Sequence, residues 1–506
     1  MRMRSILGAL LLCPLLAVPA LAEDVSLEER VKRLEQQLKE KEEHEKRERA
    51  GMPAGVERPE VMRPETPSGE PGIGALPEVG RERRAETQPA LSFGSTGSGR
   101  LVYAKPFVAA PKAIVGGYMD IQYRSQRQRS IDNGFGGTNS NFDQQRFVPF
   151  IYADITEHVK MAAELEIEHG IREQGGPDRE LEFGLEFAHI DYLIKEAINL
   201  RAGILLLPIG KFNLLHDSPL NDLTDRPLVS QFIIPTTVSE TGAGIYGTFY
   251  PGRTSKVDYE LYVTTGPCGY EKDGTPNVNE KTGTRGARQR KCGADDGFDI
   301  NNGKAVAGRL AFSPMLGIEV AGSGYFGNAA PTGGLYGNTY NPMSITAIDW
   351  TLQRGPVELI GEGAWAYARN NSRAITGNTL GFSPGSLLTQ IGGNSGLGIP
   401  PQRMAGFYIQ GNYHFMPEFL TKLSPKRFGE GSTFTAVVRY DRVNTNRDNS
   451  AGGFGDLEQI SFGLNYRPIE DAVFKISYQY QPMAFNPNTS QRIHDSALVI
   501  SAATYF

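Results

Sequence analysis

Residues 256–266 read KVDYELYVTTG, and their apolar and polar side chains alternate along the chain. In a β-strand, Val257, Leu261 and Val263 would share one face, whereas Asp258 and Glu260 would share the other. Such alternation predicts a strand with one apolar and one polar side. The same period of two persists from about residue 113 to the last residue, so we expect an all-β fold.

Sixteen segments carry this pattern, and the connections between them alternate between short turns and long loops. We place the segments at 113–126, 144–156, 159–170, 181–194, 198–209, 240–250, 256–266, 304–313, 316–327, 344–354, 356–369, 402–414, 432–444, 456–467, 472–482 and 493–505. Strands of ten or more residues, an even strand number and this asymmetry of connections predict a transmembrane antiparallel β-barrel. A soluble β-sandwich has shorter strands and lacks the asymmetry.

Composition excludes several other classes of protein. The chain has 506 residues, which is long for one domain unless that domain is a large barrel. Its formal net charge of −5 gives no footprint for nucleic acid. The seven histidines are scattered, and no HExxH, GxSxG or P-loop motif occurs. We therefore expect no enzymatic activity, no cofactor and no metal site.

The first 22 residues have the form of a signal peptide, with a basic start, an apolar core and Ala20-Leu21-Ala22 before Glu23. Residues 23–49 predict a short coiled-coil helix, because apolar residues follow a 4-3-4 spacing. Two heptads are marginal alone and would need an oligomer assembled by something else. The alternative is a solvated charged helix.

Residues 50–110 are rich in Pro, Gly, Glu and Arg and predict a flexible linker, followed by the barrel at 111–506. Export leaves Cys268 and Cys292 in an oxidising compartment, and both lie in one Gly/Lys/Asp-rich segment. A disulfide between them is the first interpretation, and two exposed thiols are the alternative.

Side-chain parity assigns the charges of the strands to the lumen, because a charge that faces lipid near mid-membrane costs roughly 2–4 kcal/mol. By this assignment the inward wall has about twice as many acids as bases. The candidate pore-lining residues are Arg124, Glu164, Glu166, Arg201, Arg309, Arg439, Asp441 and Lys475. The alternative is that these charges are ion pairs without any role toward a solute.

One strand does not keep a single parity. Between residues 181 and 194, the apolar parity of Leu185 and Phe187 continues into His189 and Asp191, so we expect a bulge or an early strand end.

The connection 210–239, GKFNLLHDSPLNDLTDRPLVSQFIIPTTVS, is a long loop rich in Pro, Asp and Asn between two strands. Loops of this length in compact domains are usually functional. We expect it to fold into the lumen and narrow it. The candidate residues of this constriction loop are Lys211, His216, Asp217, Asp222, Asp225 and Arg226.

The exported chain resembles the phosphate-selective porins O and P. The likeness lies in the order of coiled coil, linker and barrel, in the phrases AHIDY at 188–192 and LRAG at 200–203 leading to PIGKF at 208–212, and in VSETGAGIYGTFY at 238–250. The resemblance implies a trimeric, water-filled channel whose third loop, here 210–239, turns inward. Phosphate-selective members line the pore with arginine and lysine, whereas this loop has three aspartates, Asp217, Asp222 and Asp225, against Lys211 and Arg226.

We therefore expect an outer-membrane porin for passive diffusion of ions and small polar solutes, with anions such as phosphate among the candidates. Its partners would be outer-membrane lipids, hydrophilic solutes or inorganic ions, and two further copies in a homotrimer. It would reside in the outer membrane of a Gram-negative bacterium, with the helix in the periplasm. The alternative function is a closed barrel that binds a surface ligand, or acts in adhesion, through its long extracellular loops.

Overall fold

The computed structural model describes residues 113–127, 140–168, 182–269, 277–280, 282–288, 303–329, 341–369, 401–429, 431–448, 455–486 and 491–506. The segments interpreted as signal peptide, coiled coil and linker lie outside these residues, as does Cys292. In the described part of the chain, no helix is long and apolar enough to cross a bilayer.

Sixteen antiparallel strands form one closed barrel, in which each strand pairs with its neighbours in sequence and β1 pairs with β16. The strands are β1 Ala113–Gln126, β2 Ser140–Asp154, β3 Val159–Glu168, β4 Glu182–Lys195, β5 Ile198–Leu206, β6 Ser239–Phe249, β7 Lys256–Thr264, β8 Ala305–Met315, β9 Ile318–Asn328, β10 Pro342–Arg354, β11 Val357–Ala368, β12 Arg403–Phe415, β13 Thr433–Asn444, β14 Asp456–Ile469, β15 Ala472–Asn486 and β16 Gln491–Tyr505. The prediction of a 16-stranded antiparallel barrel is confirmed.

The two faces of the strands differ as the alternation predicts. On β7, Leu261 and Val263 are about half exposed on the outer face, whereas Asp258 and Glu260 are buried on the inner face. The residue at the chain end, next to the pairing of β1 with β16, also places its apolar side chain on the outer face. Phe506 stacks on Phe147 of β2 at 5.6 Å between ring centroids on the outside. An apolar outer face with charges inside is the arrangement that a bilayer-spanning barrel requires.

Turns and loops segregate to opposite ends of the barrel. At one end, which we call the short-turn end, the connections are brief apart from 416–432, where the helix α3 (Glu418–Leu423) lies. At the long-loop end, the connection after β5 includes the two short helices α1 (Lys211–Leu214) and α2 (Leu228–Phe232). The connection after β7 includes a 3₁₀ turn at Thr284–Ala287.

The parity conflict in β4 arises from a bulge, which is one of the two predicted explanations. Glu164 of β3 lies opposite Phe187, but the next residue, Leu165, lies opposite Leu185, so Glu186 is the extra residue. The side chains of Glu186 and Phe187 are both buried, and the inward parity then continues through His189. A bulge re-aims a side chain without breaking the strand pair.

Candidate functional site: the loop inside the barrel

The connection 210–239, which we call the inner loop, leaves β5 and first reaches the wall formed by β9, β10 and β11. The amide of Gly210 donates to the hydroxyl of Ser323 at 2.9 Å, Lys211 donates to Thr351, and the amide of Phe212 donates to Glu362 at 3.1 Å. All three wall residues face the interior. The inner loop therefore crosses the lumen directly after β5.

Gly210 is required at this entrance. Its φ of +67° and ψ of 160° lie in a region that is essentially restricted to glycine, and residues held there cost of order 1–3 kcal/mol. A Cβ there would also lie 2.5 Å from a carboxylate oxygen of Glu362.

From α1 the loop returns to the opposite side of the barrel. Nε2 of His216 lies 2.8 Å from Oε1 of Glu186 on β4, and the hydroxyl of Tyr505 on β16 donates to Asp217 at 2.8 Å. The inner loop thus contacts both sides of the lumen within seven residues of its entrance.

Bases of the wall hold the next part of the loop, Ser218–Arg226, which we call the ionic segment. Lys475 donates to the carbonyl of Ser218 at 2.6 Å, and Arg467 donates to the carbonyl of Pro219 at 2.6 Å. Arg439 donates to the carbonyls of Asp225 and Arg226 at 3.0 and 3.3 Å. These cations are therefore engaged in positioning the loop backbone.

The aspartates of the ionic segment are held in the same way. Asp222 accepts hydrogen bonds from Asn412 of β12 at 2.9 Å and from Asn465 of β14 at 3.1 Å. Asp225 accepts from Arg124 of β1 and from Gln479 of β15, both at 2.5 Å. The contacts of these two side chains reach strands along one arc of the barrel, from β12 and β14 to β15 and β1.

Burial and neighbouring charge act in opposite directions on these groups. Burial raises the pKa of Asp222, although Arg467 opposes the shift. Burial alone would also raise the pKa of Asp225, but the guanidinium of Arg124, the hydrogen bond from Gln479 and the charge of Arg439 together lower that pKa below its ordinary value. For His216, burial opposes protonation, but the contact with Glu186 raises the pKa above its ordinary value.

The last part of the loop, Leu228–Val238, packs through apolar contacts, and we call it the apolar segment. Leu228, Val229 and Ile233 have no exposed surface. They belong to a buried cluster with inward-facing residues near the long-loop end of β8–β14: Ala305, Ala307, Tyr325, Met343, Ile345, Ala347, Ala364, Ala366, Met404, Tyr408, Val443 and Leu457. This side of the lumen is therefore filled by a packed apolar core rather than by water.

The next connection along the chain lies over the apolar segment. Val278 and Ala287 join the same cluster, and the hydroxyl of Thr284 donates to the carbonyl of Ile233 at 3.0 Å. Gly283, with φ +58°, lies so close to the carbonyl of Phe232 that a Cβ would overlap it. Cys268 of this connection is disulfide-bonded, and its pairing with Cys292 stays a prediction because Cys292 is not described.

A small cavity remains between the ionic segment and the wall. Its volume is about 50 Å³, and Asp222 and Arg439 are among the residues that line it. A water molecule fits a space of this size.

The predicted pore-lining residues all face the interior, but they fall into two groups. Arg124, Arg439 and Lys475 hydrogen-bond to the inner loop, and Asp441 accepts the amide of Leu228 at 3.0 Å. Glu166 lies 3.8 Å from Arg226 of the loop.

The second group lies in ion-pair networks of the wall. Arg201 forms two 2.7 Å hydrogen bonds with Asp191, and Arg309 donates to Asp349 at 2.6 Å. Glu164 lies beside Glu186 and His216. The structure therefore supports the ion-pair interpretation for Arg201 and Arg309.

Sequence reasoning missed several wall residues that contact the loop. Glu362 and Arg467 are charged residues on the inward parity of their strands, and Tyr505 lies at the chain end, but none of the three is among the predicted site residues. Nothing in the local sequence marks them, since each is more than 140 residues from its partner in the loop.

Comparison with known proteins gives limited further information. No family model matches the chain. An uncharacterised protein of Aquifex aeolicus (strain VF5) is 28% identical over 366 residues, which cover 72% of this chain and 74% of that protein.

Solved structures with a similar fold include three outer-membrane proteins. The outer membrane channel DcaP of Acinetobacter baumannii is 10% identical, covering 78% of this chain and 97% of that one, with a TM-score of 0.45. The anion-selective porin from Comamonas acidovorans is 8% identical, with coverages of 78% and 99% and a TM-score of 0.45. OmpF of Salmonella typhi, in complex with daunomycin, is 12% identical, with coverages of 78% and 97% and a TM-score of 0.46. At these scores the likeness carries no conclusion about the solute, selectivity or assembly of this chain.

Proposed function

We propose that the protein is an outer-membrane porin, a channel for passive diffusion of ions and small hydrophilic solutes. The inner loop is its constriction. The observation that carries this proposal is the course of the loop, which is bound through charged and polar contacts to wall residues on both sides of a closed barrel. A barrel with an apolar outside and a charged, loop-narrowed inside suits the passage of polar solutes.

Selectivity for phosphate is not part of the proposal. Anion recognition needs guanidinium or ammonium donors that face the solute. Here Arg439, Arg467 and Lys475 already donate to carbonyls of the ionic segment, and Arg124 donates to Asp225. With these donors engaged and acids in excess on the wall, we propose a channel that prefers cations.

Assembly and location complete the proposal. The signal-peptide pattern of residues 1–22 and the barrel favour the outer membrane of a Gram-negative bacterium, with the helix of residues 23–49 in the periplasm. The coiled-coil pattern of that helix favours self-association, and the resemblance to the phosphate-selective porins favours a homotrimer. Lipids of that membrane would contact the apolar outer face of the strands.

Reconstitution of the full-length protein into planar bilayers tests the channel. We expect stepwise conductance and, under a KCl gradient, a reversal potential with the sign of cation preference. Absence of conductance steps from protein that migrates as a folded, heat-modifiable barrel would overturn the channel. A reversal potential of the opposite sign would overturn only the cation preference.

One observation favours the second candidate, a closed barrel that binds a surface ligand through its long loops. The apolar core formed by α2 and strands β8–β14 excludes water from part of the lumen. The same bilayer experiment separates the two, because a closed barrel gives no conductance steps.

A further inference from the structure

Three ligand-type side chains from three separate elements meet where the inner loop contacts β3 and β4. Glu164 of β3, Glu186 of β4 and His216 of the inner loop each offer one ligand atom, and these atoms lie within 4.8 Å of one another. All three residues are buried, with relative exposures of 4%, 0% and 2%. A His and two carboxylates form a ligand set that binds Zn²⁺ and similar divalent transition metals.

The imidazole of His216 is oriented as a metal ligand requires. Nδ1 lies 2.9 Å from the carbonyl oxygen of Asn213, and since a carbonyl only accepts, Nδ1 carries the hydrogen. Nε2 then points toward the carboxylates and lies 2.8 Å from Oε1 of Glu186. A backbone carbonyl that fixes the other ring nitrogen is the usual support of a metal-bound histidine.

The bulge in β4 supplies the second ligand. Because Glu186 is the extra residue opposite the Glu164–Leu165 step, its side chain turns inward beside Glu164. Glu164 in turn lies between Phe150 and Phe187 on the neighbouring strands, and both rings are buried. An apolar shell around carboxylates limits the access of water and strengthens their attraction for a cation.

The nearby arginines face other acids. Arg146 lies 2.9 Å from Glu168 and 3.4 Å from Glu166, and Arg226 lies 3.8 Å from Glu166. The ion pairs of these two arginines are therefore made with Glu166 and Glu168, whereas His216 contacts Glu186.

We propose that Glu164, Glu186 and His216 bind a divalent transition-metal ion, with Zn²⁺ as the expected occupant, and that this ion fastens the inner loop to β3 and β4. Ligands about 2.1 Å from a tetrahedral ion lie about 3.4 Å apart. An ion bound there would open the 2.8 Å contact by about 0.6 Å and draw together the wider contacts among the three ligand atoms, all of which lie within 4.8 Å of one another. Two of the ligands come from the wall and one comes from the loop. The ion can therefore bind with all three ligands only while the inner loop lies against β3 and β4.

Zinc titration of the full-length protein in detergent micelles, followed by calorimetry, tests the site. We expect one Zn²⁺ per chain, and an affinity lowered at least about tenfold in Glu186→Gln and in His216→Gln, since even outer-shell changes cost about 10–100-fold. The matched control is His414→Gln, because His414 also lies beside a carboxylate, Glu358 at 3.5 Å, inside the same lumen. We expect that control to bind zinc like the unchanged protein.

The proposal is overturned if the unchanged protein binds no stoichiometric zinc, or if the two site variants bind it as the control does. If a site variant does not migrate as a folded barrel, X-ray absorption spectroscopy of zinc bound to the unchanged protein tests the ligands instead. The expected shell has one imidazole and carboxylate oxygens, and a shell without imidazole would contradict the site. Neither readout needs conductance, so the outcome is independent of the channel experiment.

Discussion

The ionic segment and the apolar segment of the inner loop are adjacent in sequence but are held by different forces. The ionic segment, Ser218–Arg226, touches the wall through single hydrogen bonds and ion pairs, and several of its side chains remain partly exposed. In the apolar segment, Leu228–Val238, every residue except Phe232 is buried. One segment therefore presents charge to the lumen, whereas the other anchors the loop.

The difference has a physical consequence for a channel. Partly exposed ion pairs weaken as salt rises, because the Debye length falls from about 10 Å at 0.1 M to about 3 Å at 1 M. Apolar burial does not depend on such screening. A loop with both kinds of contact can expose charges to a solute while its position stays fixed at any ionic strength.

The largest expected effect comes from a charge placed in the anchor. Leu228→Asp buries a carboxylate beside Asp441, which already accepts the amide of residue 228. Lost packing and an unpaired buried charge together cost about 5 kcal/mol or more. We expect larger single-channel conductance and loss of amide-exchange protection across residues 228–236, measured by mass spectrometry.

The matched control for that variant is Leu220→Asp, which adds the same charge to the same loop. Leu220 is 48% exposed, so its substitution should leave exchange in the apolar segment unchanged. Equal loss of protection in both variants would contradict the division into two segments.

A smaller effect is expected at the joint between the segments. Arg439 donates to the carbonyls of Asp225 and Arg226 and, at 2.7 Å, to Asp441, which holds Leu228. Arg439→Gln leaves a buried carboxylate without its cation, which costs about 3–5 kcal/mol. Each 1.4 kcal/mol corresponds to about a tenfold change in an equilibrium constant. Amide protection should therefore fall at least about 100-fold on both sides of Pro227.

The control for this variant is Arg201→Gln, which breaks a buried pair with Asp191 in the wall, away from the joint. If amide exchange of Arg439→Gln increases in only one of the two segments, Arg439 does not couple the ionic segment to the apolar segment.

The strands could be predicted from sequence because the alternation of apolar and polar residues is a local signal. The bulge at Glu186 also has a signal in the sequence, because the apolar parity of β4 continues into His189 and Asp191. The length and composition of 210–239 also predicted an inward loop. The contacts of that loop could not be predicted, since Arg124 and Asp225 are 101 residues apart and Lys475 and Ser218 are 257 apart.

The apolar core inside the barrel was also missed, for a different reason. On β10 both faces are apolar near the long-loop end, with Ile345 and Ala347 inward and Ile348 outward. Alternation distinguishes the two faces only where one of them is polar.

A still smaller effect should follow from Gly210→Ala at the loop entrance. The backbone conformation of Gly210, with φ +67° and ψ 160°, costs of order 1–3 kcal/mol in a residue with a Cβ, and the new methyl displaces the carboxylate of Glu362. Amide protection in residues 211–216 should fall about tenfold, whereas the apolar segment keeps its own anchors. Gly355→Ala is the control, because it has a similar φ of +58° but no atom within 4 Å of a new Cβ. If amide protection of residues 211–216 also falls in Gly355→Ala, the effect of Gly210→Ala reflects general destabilisation of the barrel.

The smallest effect should be confined to the ionic segment and to its charge. Asp222→Asn keeps one oxygen, which can accept from Asn412 or from Asn465, and removes one negative charge from the edge of the cavity that Arg439 also lines. The loop should stay in place, with unchanged exchange in the apolar segment, while the reversal potential moves toward anions. Because the charge acts through solvent, the shift in reversal potential should be larger at 0.1 M than at 1 M KCl.

Glu418→Gln is the control, because it removes the same charge from the exposed helix α3 at the short-turn end and should leave the reversal potential unchanged. Equal shifts in the two variants would mean that the total charge of the protein, rather than the ionic segment, sets the preference.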